Sequence, residues 1–88
     1  MPEINLIVNH EVGLHARPAS MFVQTAAKFS SDIEITHGET TANAKSILSV
    51  LTLGVHKGAK IHVKAEGKDA EEALKALEEL VMSNFGEG

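Results

Sequence analysis

The chain has 88 residues, 43% of them hydrophobic and 23% charged, which predicts one small soluble domain spanning residues 1–88. Its formal charge of −4, from 12 acidic and 8 basic residues, disfavours nucleic-acid binding, because a phosphate backbone requires a basic surface. The absence of cysteine excludes disulfides and thiolate sites, and the N-terminal residues lack a signal-peptide or membrane-span pattern, so we expect a cytoplasmic protein without membrane contact.

The first half of the chain predicts three strands and one helix. Apolar and polar residues alternate over residues 4–8 and again over residues 33–36, a pattern typical of strands with one buried face. Between them, apolar side chains follow helical spacing from Ala16 onward, at Ala19, Phe22, Val23, Ala26, Ala27 and Phe29. Residues 37–39 predict a turn, and the short polar segment 40–44 predicts a weak edge strand.

The second half begins with a compact apolar helix. Ser46 precedes the apolar segment 47–53 as a candidate N-cap, and Gly54 closes it. Residues 60–65 alternate again and predict the fourth strand.

The last helix is predicted from Asp69, which forms a capping-box-like pair with Glu72. Its apolar stripe comprises Ala70, Ala73, Leu74, Leu77, Leu80 and Val81. The resulting order is β-α-β-β-α-β-α. We therefore expect an α+β fold in which a four-stranded antiparallel sheet carries three helices on one face.

The stretch GLHARPAS, residues 13–20, places two candidate functional side chains, His15 and Arg17, at the start of the first helix. Pro18 belongs in a helix's first turn, so His15 lies at or just before the N-cap, where the helix dipole favours a neutral, nucleophilic imidazole. A phosphoryl group on that ring would meet the amides of Ala16 and Arg17 and the Arg17 guanidinium. Taken alone, these residues leave open the alternative that His15 occupies a turn and Arg17 is simply solvated.

The sequence resembles the HPr family, the histidine-containing phosphocarriers of the bacterial sugar phosphotransferase system (PTS). GLHARPAS resembles the family's active-site stretch, and residues 43–47, Asn-Ala-Lys-Ser-Ile, resemble its regulatory-serine stretch. Leu53-Gly54 stands where the family commonly has the same pair, and the order of elements agrees along essentially the whole chain. Two separated motifs at matching positions make the resemblance specific.

The resemblance implies a phosphocarrier rather than an enzyme. His15 would accept a phosphoryl group from phosphorylated enzyme I, charged by phosphoenolpyruvate, and pass it to enzyme IIA domains, with Arg17 as the supporting cation. It also implies the family's open-faced sandwich fold. We expect no cofactor and a monomeric protein.

Ser46 is a good helix cap, which alone explains a serine at this position. The resemblance implies that a kinase, in the form of a serine kinase/phosphorylase, modifies it in some lineages and changes how partners dock. A phosphate at a helix N-terminus is compatible with the fold, because the negative charge lies at the favourable end of the helix.

The short helix is apolar on almost every side, so part of it must face water. We assign Val50 and Leu53 to the core. The exposed remainder, together with two bordering residues of the first helix, forms a predicted docking surface comprising Ser20, Met21, Ile47, Leu48 and Leu51. HPr-like proteins dock enzyme I and enzyme IIA through such a patch. For Leu51, the alternative is an apolar side chain that the small core cannot accommodate and that has no docking role.

The other histidines, at positions 10, 37, 56 and 62, fall in different segments, so we interpret them as solvated and expect no metal site. Three other functions remain as alternatives. The first is a carrier of the nitrogen-regulatory branch, and the second is a regulatory module acting through Ser46 alone. The third, a ferredoxin-like metal or RNA binder, is disfavoured by the acidic charge, the missing strand aromatics and the absence of cysteine.

Overall fold

The computed structural model describes residues 2–8, 16–83 and 85. Its elements follow the predicted order, and most boundaries agree within one or two residues. In chain order they are β1 (Glu3–Val8), α1 (Ala16–Ala26), β2 (Asp32–His37), β3 (Thr40–Asn43), α2 (Ile47–Leu51), β4 (Ala59–Glu66) and α3 (Ala70–Met82).

The four strands form one antiparallel sheet in the order β1-β4-β2-β3. The register places Leu6 opposite Ile61, and Ile35 between Val63 and Ala42. These side chains share one face because alternate residues of a strand point to the same side. The short strand β3 lies at an edge, as its polar sequence predicted.

The helices cover one face of the sheet. Helix α3 packs against β1 and β4, α2 packs against β3, and α1 contacts both of the other helices. The largest fully buried side chains between these layers include Phe22, Phe85, Ile33, Ile35, Ile61 and Leu77. On the opposite face, residues such as Glu3, Asn5 and Lys60 are exposed. The predicted fold, an open-faced α+β sandwich, is confirmed.

The second helix is shorter than predicted. It ends at Leu51, and the next two residues form a turn in which the Leu53 N–H donates to the Val50 carbonyl at 3.2 Å. Gly54 follows with a φ of +65°, a left-handed conformation that favours glycine. The chain therefore leaves the helix earlier than the apolar run suggests, although Leu53 stays buried.

The predicted capping box at the start of α3 is wrong. Asp69 occupies the N-cap position, but its carboxylate makes no capping hydrogen bond to the α3 backbone, all of which the structure describes. Instead it accepts from the backbone N–H of Ser30, at 2.9 Å, and from both the N–H and the hydroxyl of Ser31. The Ser31 hydroxyl contributes most to lowering the pKa of Asp69, followed by the Ser30 N–H.

Candidate functional site

Helix α1 starts close to Pro18, as the sequence predicted. The helix begins at Ala16, and Pro18 is buried in its first turn, where a missing N–H costs nothing. Arg17 is exposed beside it. N–H groups in a first turn lack intrahelical acceptors and carry the positive end of the helix dipole, so this turn suits an anion.

Two predicted site groups lie outside this description. His15 is not among the described residues, and for Ala16 only the backbone is described. The roles of His15 and of the Ala16 amide therefore stay predictions, as does the pairing of Arg17 with a phosphoryl group.

Helix α2, which packs against α1, exposes three apolar side chains that we call the apolar patch: Ile47, Leu48 and Leu51. Leu48 is 74% exposed, whereas Ile47 and Leu51 are each 37% exposed. Val50 and Leu53 are buried, as predicted. The structure thus confirms the division of this segment into core and surface, while its docking role stays a prediction.

The loop before α2 is held by short polar contacts. The Lys45 ammonium donates to the carbonyl of Phe29 at 2.7 Å, and this ties the loop to the segment that follows α1. Asn43 accepts from the Lys45 N–H at 2.9 Å. At the helix itself, Ser46 is the N-cap, and its hydroxyl accepts from the Ser49 N–H at 3.4 Å, which is long for such a bond. The predicted cap is therefore confirmed.

The two predicted bordering residues on α1 are both half-buried. The Ser20 hydroxyl accepts a hydrogen bond from the Gln24 amide at 3.1 Å. Met21 packs partly against the core. Only part of the Met21 side chain is accessible to a partner.

The histidines are less scattered than expected. His37 Nδ1 lies 2.8 Å from the Leu53 carbonyl oxygen, and the ring of His56 stands beside that of His37. His62 pairs with Glu3 at 3.0 Å on the solvent face of the sheet, and His10 lies outside the described residues. Nothing in the linear sequence signalled that His37 and His56 would meet.

Two absences hold for the part of the chain that the structure describes. In residues 2–8, 16–83 and 85, no three histidine, cysteine, aspartate or glutamate side chains converge as a metal site. Over the same residues, no helix has the length and apolar character needed to cross a bilayer.

Comparison with known proteins decides the family. Residues 2–83 match the family model PTS-HPr, described as the PTS HPr component phosphorylation site. The chain belongs to the HPr family. HPr proteins are phosphocarriers of the PTS rather than enzymes, and their partners are other PTS components.

Solved HPr structures share the fold over 91% to 100% of the chain. The crystal structure of HPr-C-His from Thermoanaerobacter tengcongensis is 49% identical, with a TM-score of 0.97, and the match covers 100% of this chain and 99% of that one. The phosphocarrier protein HPr of Bacillus anthracis str. Ames is 44% identical, with a TM-score of 0.88, covering 91% and 95% of the two chains. An HPr dimer from T. tengcongensis also matches, at 49% identity and a TM-score of 0.80, covering 99% of this chain and 100% of that one.

A curated relative is much longer than this chain. The multiphosphoryl transfer protein of Escherichia coli O157:H7 is 45% identical over 85 residues, which are 93% of this chain and 23% of the relative. The chain thus spans about a quarter of that protein, and the similarity concerns its HPr portion.

Proposed function

We propose that this HPr-family chain accepts a phosphoryl group on His15 from phosphorylated enzyme I and passes it to enzyme IIA domains. The observation that carries the proposal is the first turn of α1, where Arg17 is exposed beside backbone N–H groups without intrahelical acceptors. We further propose that residues 1–88 act as one monomeric domain in the cytoplasm and need no cofactor.

The chemistry needs little beyond positioning. The imidazole nitrogen of His15 would form a bond to phosphorus as the bond to the enzyme I donor breaks, and the reverse exchange would load enzyme IIA. Backbone amides at a helix N-terminus stabilise an anion by about 0.3–1 kcal/mol, or by up to about 2 kcal/mol when partly buried. Stabilisation of this size favours reversible transfer, because it does not trap the phosphoryl group.

The direct test uses the intact chain with enzyme I and phosphoenolpyruvate. Mass spectrometry under alkaline conditions should place an acid-labile phosphate on His15. The label should be absent from His15→Ala and unchanged in His62→Ala, which alters a histidine on the solvent face of the sheet. Labelling of another residue, or none with enzyme I of either the sugar or the nitrogen branch, would refute the proposal.

The same assay addresses the second candidate, a carrier of the nitrogen-regulatory branch. The apolar patch favours the sugar branch. The family resemblance that implies enzyme I and enzyme IIA as partners also implies that these partners dock on an apolar helix. Faster phosphorylation by the nitrogen-branch enzyme I, at equal enzyme concentrations, would reverse that preference.

We also propose that Ser46 is a regulatory phosphorylation site for a serine kinase/phosphorylase. Ser46 is half-buried and its hydroxyl accepts a long hydrogen bond from the Ser49 N–H, so a kinase could reach it at little cost to the fold. A phosphate would bring a charge of about −1.5 to −2 next to Ile47, at the start of the apolar patch.

Measurements of the affinity for enzyme I test this regulation. Ser46→Asp should keep the N-cap, because aspartate caps helices as well as serine does, but should weaken binding. Ser46→Asn is the matched control, since it caps without charge and should bind like the parent. Equal binding by both variants would show that charge at this position does not regulate docking.

A further inference from the structure

A pair of histidines stands where the β2–β3 hairpin meets the loop after α2. His37 is the last residue of β2, and His56 belongs to the connection between α2 and β4. Their ring centres are 6.3 Å apart and the ring planes are nearly perpendicular, at 81°. The proposed phosphocarrier chemistry uses neither residue.

The hydrogen bond to Leu53 fixes the tautomer of His37. The Nδ1 atom lies 2.8 Å from the Leu53 carbonyl oxygen, and a carbonyl can only accept, so Nδ1 carries the proton. The lone pair of the neutral ring is therefore on Nε2. Metal-binding histidines show this arrangement, in which one ring nitrogen donates to a carbonyl and the other is left to coordinate.

The backbone around His56 brings its ring to His37. Gly54 and Gly58 flank it with φ angles of +65° and +86°, and these left-handed residues turn the chain on either side. The turn is anchored, because the Gly58 N–H donates to the Val8 carbonyl at 2.7 Å and the Ala59 N–H donates to the His56 carbonyl at 2.9 Å. His56 itself is exposed, so its ring is free to reorient toward a ligand.

We infer that His37 and His56 form a two-histidine site for a divalent transition-metal ion of the imidazole-binding class, such as Zn²⁺. A tetrahedral ion about 2.1 Å from one nitrogen of each ring places the ring centres about 5.3 Å apart. The observed separation is 6.3 Å, so binding draws the rings about 1 Å closer, a shift that the exposed side chain of His56 can make. Because no third histidine, cysteine, aspartate or glutamate joins this pair within the described residues, water completes the coordination shell and the site is open.

Zinc titration followed by imidazole ¹⁵N NMR tests the inference on the full chain. Zn²⁺ should shift the His37 and His56 ring signals together and saturably, while Mg²⁺, which prefers oxygen ligands, should leave them unchanged. Before zinc is added, the spectrum should show His37 protonated at Nδ1 when its ring is neutral.

Three variants assign the binding. His37→Asn keeps an N–H donor near the position of Nδ1 but removes the ligand, and His56→Gln changes an exposed side chain whose loss does not threaten folding. Each should weaken zinc binding at least about tenfold by calorimetry, since loss of even a supporting partner costs that much. His62→Gln should bind zinc like the parent. Unmoved His37 and His56 signals, or unchanged affinity in His56→Gln, would overturn the inference.

Discussion

Asp69 Oδ1 accepts hydrogen bonds from both the backbone N–H and the side-chain hydroxyl of Ser31, although 38 residues separate them along the chain. The N–H bond is 3.0 Å long, and Ser31 is buried, with 1% of its surface exposed. A buried hydroxyl needs a partner, and the carboxylate supplies it. The contact holds the connection between α1 and β2 against the start of α3.

The lowered pKa of Asp69 predicts acid sensitivity. Because the folded-state pKa lies below the unfolded value of about 4, the ionised carboxylate stabilises the fold. This contribution is fully present above the unfolded pKa and is lost as the pH falls through the folded-state pKa. In Asp69→Asn, urea unfolding should show reduced stability at pH 7 and a smaller decrease between pH 5 and pH 2 than in the parent.

Glu39→Gln is the control for the acid experiment, since Glu39 is exposed in the turn between β2 and β3. It should follow the parent over the whole pH range. If Asp69→Asn lost stability equally at pH 7 and pH 2, the carboxylate charge would not be the stabilising feature.

Gly67 makes the Asp69–Ser31 contact possible by letting two backbones approach. Its φ is +147°, and a Cβ added there would lie 2.8 Å from the Cα of Ser31. Gly67→Ala should therefore lower the free energy of unfolding both by backbone strain and by overpacking, which alone costs about 1–3 kcal/mol. Gly58→Ala, at a φ of +86° with open space around the added carbon, should show the backbone cost alone. Equal destabilisation of the two variants by urea unfolding would contradict the close approach.

Much of this fold could be predicted because its segments have clear periods. Alternation identified the buried faces of β1, β2 and β4, and helical spacing identified the stripes of α1 and α3. The end of α2 was less clear, because Leu53 is buried from a turn and so extends the apolar run past the helix. Burial alone does not reveal backbone conformation.

Contacts between distant segments were not predictable from the sequence. Asp69 looked like half of a capping box, since the sequence shows the glutamate three residues later but not the two serine N–H groups brought to it by folding. The meeting of His37 with His56 depends on the strand order and on two glycine turns, which no local pattern specifies. At the candidate site, by contrast, Pro18 and Ser46 have local roles, and their positions were predicted correctly.

Arg17 should contribute to transfer through its charge and fork geometry. It is exposed on the first turn of α1, so substitution should leave the fold intact. Loss of a charge-assisted hydrogen bond costs about 1.5–3 kcal/mol, so Arg17→Gln should slow phosphoryl transfer from enzyme I roughly 10- to 150-fold. Arg17→Lys should retain part of the rate, since it keeps the charge but loses the planar fork. Quench-flow measurement of the transfer rate checks both; an unchanged rate in Arg17→Gln would remove Arg17 from the site.

Because Leu48 belongs to the apolar patch, its substitution should weaken partner binding with little effect on the stability of the fold. The side chain is 74% exposed, so Leu48→Ala should change the free energy of unfolding by no more than about 0.5 kcal/mol. If it anchors a partner, the same change should weaken binding to enzyme I by at least about fivefold, as expected for an interface residue worth about 1 kcal/mol or more.

Leu53→Ala is the matched control for this measurement, because it removes the same atoms from a buried site in the same segment. It should cost about 2–5 kcal/mol of stability, yet bind enzyme I normally under conditions where it is folded. Calorimetric binding with both variants separates the two effects. Normal binding by Leu48→Ala would show that partners dock elsewhere. Leu48 would then be exposed only because the small core cannot accommodate it.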